Sequence, residues 1–298
     1  MKKKRIFSGS GVAIVTPFAM GKVDYESFRK ILDFQLANGT KAIIVCGSTG
    51  EAPTLTDTEH KKIIDFAVEH VNGRAPVIAG TGSNYTDHAV MMSKYAAKAG
   101  ADGLLLITPY YNKPTQNGIA ANFFKIADST DKPVIVYNIP SRTGVNILPE
   151  TYLKLSEHEN IVAVKEANGN IAAAAECRAL TGGSLDIYAG NDSEIVPILS
   201  LGGAGVISVI ANILPKETSD ICELFFDGRI KESLNLQLSL MELCGALFCE
   251  TNPIPVKYAM KKMGFCSDEL RLPLAPLDEK YHGRVEEAMK KAGISLIE

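Results

Sequence analysis

The sequence holds no run of apolar residues approaching the roughly 18 that a membrane span requires. It also has little net charge, formally -3. Its one basic run, "KKKR" at positions 2 to 5, is too short to make nucleic acid or an acidic membrane surface an expected partner. That basic start is not expected to open a signal peptide, because "SGSG" breaks the apolar stretch that should follow, and "VAIVTPF" reads instead as a first strand. Cys46, Cys177, Cys222, Cys244, Cys249 and Cys266 include no Cys-x-x-Cys pair and have no histidine nearby at a zinc-binding spacing. The expectation is reduced, buried thiols in a cytoplasmic protein without a metal. No Gly-Lys-Ser/Thr ending marks a nucleotide loop, and "GTGSN" from Gly80 places Tyr85 where a dinucleotide fingerprint needs its third glycine. ATP and NAD are therefore not expected as cofactors.

What is present is an alternation. The chain has 298 residues, 46% of them apolar and 22% charged, the balance of an ordinary globular protein. Eight short runs rich in β-branched residues recur: "GVAIVTP" from Gly11, "AIIVCG" from Ala42, "PVIAG" from Pro76, "GLLLITP" from Gly103, "PVIVYN" from Pro133, "IVAVKE" from Ile161, "LDIYAG" from Leu185 and "AGVISV" from Ala204. Their apolar residues are continuous, as in parallel strands covered on both faces. Helix signals lie between them, such as the capping box Thr56-x-x-Glu59 and the terminating Gly100. Eight regular β-then-α units predict a closed (β/α)₈ TIM barrel over residues 1–225, of α/β class, rather than an open doubly wound sheet. Residues 226–298 read as a C-terminal helical extension.

In such a barrel the chemistry sits where strands end. Ser48 and Thr49 follow the second run, Tyr110 and Tyr111 the fourth, and Asn191 and Asp192 the seventh, while Tyr137 closes the fifth and Lys165 the sixth. They share one rim. Lys165 is the most informative, because burial disfavours its charged form and a neutral amine attacks carbonyl carbon. The bland alternative is a rim lysine that snorkels or pairs with Glu166. Tyr137 on the neighbouring strand offers a phenol to move protons during imine formation, or simply an aromatic packed on the core. "GSTGE", Gly47 to Glu51, offers hydroxyls and backbone N–H groups on a tight turn that suits a small carboxylate. Arg142 in "NIPSRTG" could pair bidentately with a second carboxylate, or be a solvated loop arginine. The five histidines are scattered, so a metal-dependent aldolase is disfavoured.

Taken together and in order, "GSTGE", "TPYYNKP", "VYNIPSRTG", "VAVKEANGN" and "NPIPVK" resemble the pyruvate-dependent class I aldolase superfamily. The resemblance runs from about Gly9 to Pro273 and is strongest to the dihydrodipicolinate synthase family. It implies that Lys165 forms an imine with pyruvate, with no separate cofactor, and that the enamine attacks L-aspartate 4-semialdehyde in the first committed step of lysine and diaminopimelate synthesis. It makes Tyr137, Ser48 and Tyr111 a proton relay, with Tyr111 supplied by a neighbouring subunit of a homotetramer built as a dimer of dimers. It assigns Thr49 to the pyruvate carboxylate, Arg142 to the semialdehyde carboxylate, and Gly190 and Ile207 to the pocket.

Two features depart from the family pattern. Serine at position 48 is equally similar to sialic acid lyases, which keeps a sibling aldolase open, as well as a catalytically silent barrel; "SRTG" and "YYNKP" favour the synthase. Asn84, His60 and Tyr110 match positions of the family's lysine-inhibition site. His88, however, stands where inhibited members carry a glutamate, and Ala52 and Asp57 replace other polar contacts. Weak or absent inhibition by L-lysine is the expectation.

Overall fold

The eight apolar runs become eight parallel strands: β1 (Gly9–Ala13), β2 (Ala42–Val45), β3 (Val77–Gly80), β4 (Gly103–Ile107), β5 (Val134–Asn138), β6 (Ile161–Glu166), β7 (Asp186–Ala189) and β8 (Gly205–Ser208). Each pairs with its neighbours in sequence, and β8 pairs with β1 to close the barrel. The computed structural model describes residues 3–297. Met1, Lys2 and Glu298 lie outside them, so the basic start is described only from Lys3.

The helices form where the local code places them. Helix Asp57–Val71 starts on the capping box, with the Thr56 hydroxyl accepting from the Glu59 N–H and the Glu59 carboxylate accepting from the Thr56 N–H. It buries Ile63, Ile64, Ala67 and Val71 along one stripe, the spacing of a helix packed on a sheet. Helix Thr86–Ala99 stops at Gly100, in the left-handed conformation glycine adopts without strain. After β8 comes helix Pro215–Phe226, then helices Ile230–Ser239, Met241–Ala246, Ile254–Lys262 and His282–Lys291. Among the described residues no helix is long and apolar enough to cross a membrane. The six cysteines are free; Cys46, Cys177, Cys222 and Cys244 are buried, and Cys249 and Cys266 half-buried.

Two apolar layers hold the barrel. One fills the space between strands and helices, and the other fills the interior with side chains such as Ile44, Ile78, Leu105, Ile135 and Ile207. Successive side chains of a strand serve the two layers in turn, as in Ile43, Ile44 and Val45.

The first strand departs from the sequence expectation. It begins at Gly9, inside the "SGSG" read as an interruption, and ends at Ala13, before most of "VAIVTPF". The reason is close approach to both neighbouring strands: a Cβ on Gly205 of β8 would lie 1.9 Å from the Gly9 carbonyl oxygen, and one on Gly11 2.8 Å from the Ile44 side chain of β2. Glycine is used here for proximity rather than for a turn.

Candidate active site

Strand β6 presents Lys165 to the barrel interior because its alternation is interrupted. Ile161 packs outward against the helices. Strict alternation from there would also point Lys165 outward. Instead, Val134 of β5 pairs with Ile161 while the next residue, Ile135, pairs with Ala163, so β6 carries one extra residue. Val162 and Ala163 both join the interior layer, Val164 faces the helices, and Lys165 turns inward. A β-bulge of this kind re-aims every side chain beyond it.

The outward neighbour is accordingly Glu166, and it does not pair with Lys165. Its carboxylate accepts from the Tyr152 hydroxyl at 2.6 Å, from Asn138 Nδ2 at 3.0 Å and from the Asn168 N–H at 2.9 Å. Burial pushes the Glu166 carboxyl up to about 7 against these donors. The network anchors the end of β6 from behind, leaving the amine on the other side.

Lys165 is 4% exposed and has no hydrogen-bond or ion-pair partner among the described residues. Tyr137 is level with it on β5, and the ammonium nitrogen sits over the Tyr137 ring, 4.4 Å from its centroid. Burial lowers the lysine pKa to about 8; Asp192 pulls it upward and Arg142 adds to the lowering. Burial likewise pushes the Tyr137 phenol up to about 12, opposed by Arg142 and by the Ser48 hydroxyl. The pair is thus a phenol that stays protonated beside an amine that is readily neutral.

Ser48 lines the same cavity as Tyr137, a space of about 200 Å³ that also touches His60, His88, Tyr110 and Asp57. Thr49 is 3% exposed, and its hydroxyl accepts from Asn252 Nδ2 at 2.9 Å. Arg142, on the short helix Pro140–Thr143, donates from Nη2 to the Asn252 carbonyl at 2.6 Å. Gly190 packs so tightly under β6 that a Cβ would lie 2.8 Å from the Glu166 carbonyl oxygen, and Ile207 is fully buried in the interior layer. Asp192 joins the loops after β7 and β8, accepting from the Val209 and Ile210 N–H groups at 3.0 Å each.

Not every predicted residue converges. Tyr111 is 89% exposed at φ +71°, so it stands off its own chain's pocket. Asn84 is outside the lining of the His60 cavity, and its carbonyl accepts from Asn112 Nδ2. His60 contacts the Gly80 carbonyl through Nε2 at 2.8 Å, and His88 contacts Asp57 Oδ1 at 2.9 Å.

Residue-by-residue reasoning missed Asn252 and Lys257, both within "NPIPVK". Lys257 is wholly buried and donates to Glu51 Oε1 at 2.7 Å, which fixes the end of "GSTGE". A lysine on the apolar face of a helix, opposite an acid some 200 residues earlier, was the available signal, but nothing local paired the two.

Comparison with known proteins decides the kinship. The model of the dihydrodipicolinate synthetase family matches residues 6–292. The chain belongs to this family. Among other members, the 4-hydroxy-tetrahydrodipicolinate synthase of Clostridium tetani is 54% identical over 275 residues, 92% of this chain and 94% of that protein. The crystal structure of the dihydrodipicolinate synthase from Aquifex aeolicus superposes with a TM-score of 0.96 at 45% identity, covering 98% of this chain and 100% of that one. The chloride-inhibited synthase from Acinetobacter baumannii, complexed with pyruvate, gives 0.95 at 41% identity over 97% and 99% of the two chains. Kinship of this extent covers barrel and extension together, so the family's eight-stranded barrel and its C-terminal helices are both present here.

Proposed function

We propose that this family member is a 4-hydroxy-tetrahydrodipicolinate synthase, a lyase that condenses pyruvate with L-aspartate 4-semialdehyde. The observation that carries the reading is the buried Lys165 amine on the face of Tyr137, with a pKa lowered to about 8. At pH 7 that raises the neutral fraction about 300-fold over an ordinary lysine. The amine attacks the pyruvate carbonyl, and the oxygen leaves as water once Tyr137 and Ser48 have delivered protons to it. The protonated imine acidifies the adjacent methyl group, whose proton returns to the Tyr137–Ser48 pair, and the C–H electrons neutralise the nitrogen to give an enamine. Its carbon attacks the aldehyde, whose oxygen becomes the 4-hydroxyl. Finally the substrate's own amine attacks the imine carbon, displaces Lys165 and closes the ring. The covalent imine is the electron sink, so the reading calls for no separate cofactor.

Thr49 receives the pyruvate carboxylate and Arg142 the semialdehyde carboxylate, with Gly190 and Ile207 shaping the pocket. Tyr111 completes the proton relay from a second copy of the chain, in a homotetramer arranged as a dimer of dimers. Its exposure on its own subunit supports that reading. Six free thiols support a cytoplasmic location. The cavity lined by His60, His88 and Tyr110, with Asn84 nearby in sequence, is a vestigial lysine site: His88 already holds Asp57, and no carboxylate stands at position 88 to pair with a lysine ammonium. Half-maximal inhibition by submillimolar L-lysine would refute that assignment.

The deciding experiment measures pyruvate consumption with L-aspartate 4-semialdehyde, N-acetylmannosamine or glyceraldehyde as acceptor. Consumption confined to the semialdehyde is expected. Preference for a sugar aldehyde would move the chain to a sibling aldolase, and the absence of a borohydride-reduced pyruvate adduct on Lys165 would remove the chemistry altogether.

A further inference from the structure

The C-terminal segment reaches the catalytic rim through one side chain. Asn252, 5% exposed, lies just before helix Ile254–Lys262 and far from the barrel strands in sequence. Its Nδ2 donates to Thr49 Oγ1 at 2.9 Å, and its backbone carbonyl accepts from Arg142 Nη2 at 2.6 Å. Its Oδ1 is buried without a hydrogen-bond partner among the described residues. Unpaired buried acceptors are rare in native proteins and are costly unless function retains them.

We infer that Asn252 is a positioning residue for both carboxylate-binding groups, orienting the Thr49 hydroxyl as a donor and holding the Arg142 guanidinium at the mouth. The chemical reason is directional. A threonine hydroxyl has one hydrogen to give, and an amide N–H that occupies its oxygen leaves that hydrogen free for an anion. An acceptor in place of Nδ2 would consume it. Arg142 is held through the backbone carbonyl instead, so side-chain changes at 252 act first on Thr49 and only indirectly on Arg142. The neighbouring pair Lys257–Glu51, 2.7 Å apart and fully buried, keeps the two segments at this spacing. The helical extension is on this view part of the keto-acid site, and not only a covering for the barrel.

The inference rests on the synthase reading, and its test separates the two. Wild type, Asn252→Ala, Asn252→Asp, Thr49→Val and the double variant Asn252→Ala/Thr49→Val are titrated with pyruvate. Borohydride trapping at Lys165 is followed by mass spectrometry, and kcat and both KM values are measured alongside. Asn252→Ala should raise the pyruvate concentration for half-maximal trapping about tenfold, as expected for losing one hydrogen bond beside a charged group. Trapping at saturating pyruvate should be preserved. In the Thr49→Val background the same change should have less than a twofold effect, because Asn252 acts through that hydroxyl. Asn252→Asp keeps the size of the side chain but accepts the threonine hydrogen, so it should weaken pyruvate more than alanine does; it carries the test if the alanine variant fails to fold by circular dichroism. An unchanged pyruvate titration in the variants, or an equal effect with and without the Thr49 hydroxyl, overturns the inference. No adduct in the wild type overturns the synthase reading instead.

Discussion

Burying an ionisable lysine should destabilise the protein that carries it, and Lys165, the proposed nucleophile, allows that cost to be measured. Its pKa falls from the ordinary 10.5 to about 8, with burial as the main cause. A lysine whose folded pKa lies below its unfolded one contributes stability that is present above about pH 10.5 and lost as pH falls through about 8. At pH 7 the loss is nearly complete. At about 1.4 kcal/mol per pH unit, it amounts to about 3 kcal/mol. Lys165→Met keeps much of the side-chain volume and removes the charge. Asp192, which loses a favourable neighbour, is already pushed upward by burial. The variant should therefore be inactive yet more stable than wild type by up to about 3 kcal/mol at pH 7. The gain should shrink by about 2 kcal/mol at pH 9.5, where the unfolded lysine is largely still charged and the folded one is neutral. Urea unfolding at fixed protein concentration reads both quantities, since assembly makes apparent stability depend on concentration. A variant no more stable than wild type at pH 7, or a gain independent of pH, would refute the claim that burial of charge tunes this amine.

The same amine sets the pH dependence of imine formation: the rate of borohydride trapping with pyruvate should rise about tenfold per pH unit below pH 8 and level off above it, and a flat profile from pH 6 to 8 would contradict the lowered pKa. Deleting Val162 leaves Ile161, Ala163, Val164 and Lys165 in strict alternation, with Lys165 still inward opposite Tyr137, so the folded variant should keep its Lys165 adduct; a folded variant without adduct would refute this account of the strand. Tyr152→Phe removes the donor to Glu166 and should cost about 1–3 kcal/mol at pH 8, where the carboxylate is charged. The cost should be smaller at pH 6, below the Glu166 value of about 7, and thermal unfolding at the two pH values checks the difference.

The eight strands and the two helix ends marked by Thr56 and Gly100 were legible in the sequence because their causes are local. Continuous β-branched runs make covered strands, and Thr56, Glu59 and Gly100 satisfy helix termini with atoms a few residues away. Lys165 and Tyr137 were legible for a related reason: a titratable group at the end of an apolar run stands out, and consecutive strands of a barrel are neighbours. The positions of Ser48, Thr49 and Arg142 on the same rim follow from that order of elements.

What lay beyond local pattern was decided by contacts distant in sequence. Gly9 and Gly11 belong to β1 because β8 and Ile44 press against them, some 200 and 30 residues away. The inward turn of Lys165 depends on how β6 registers against β5, which no property of "IVAVKE" taken alone specifies. Asn252 and Lys257 meet Thr49 and Glu51 only after the chain has closed the barrel and brought its last quarter back across the rim. The sequence by itself determined which elements form and that a lysine closes one of the apolar runs, since propensity, capping and burial act over a few residues. Only the tertiary structure decided which way that amine points and what holds its partners, because register and packing are properties of segments that meet in space.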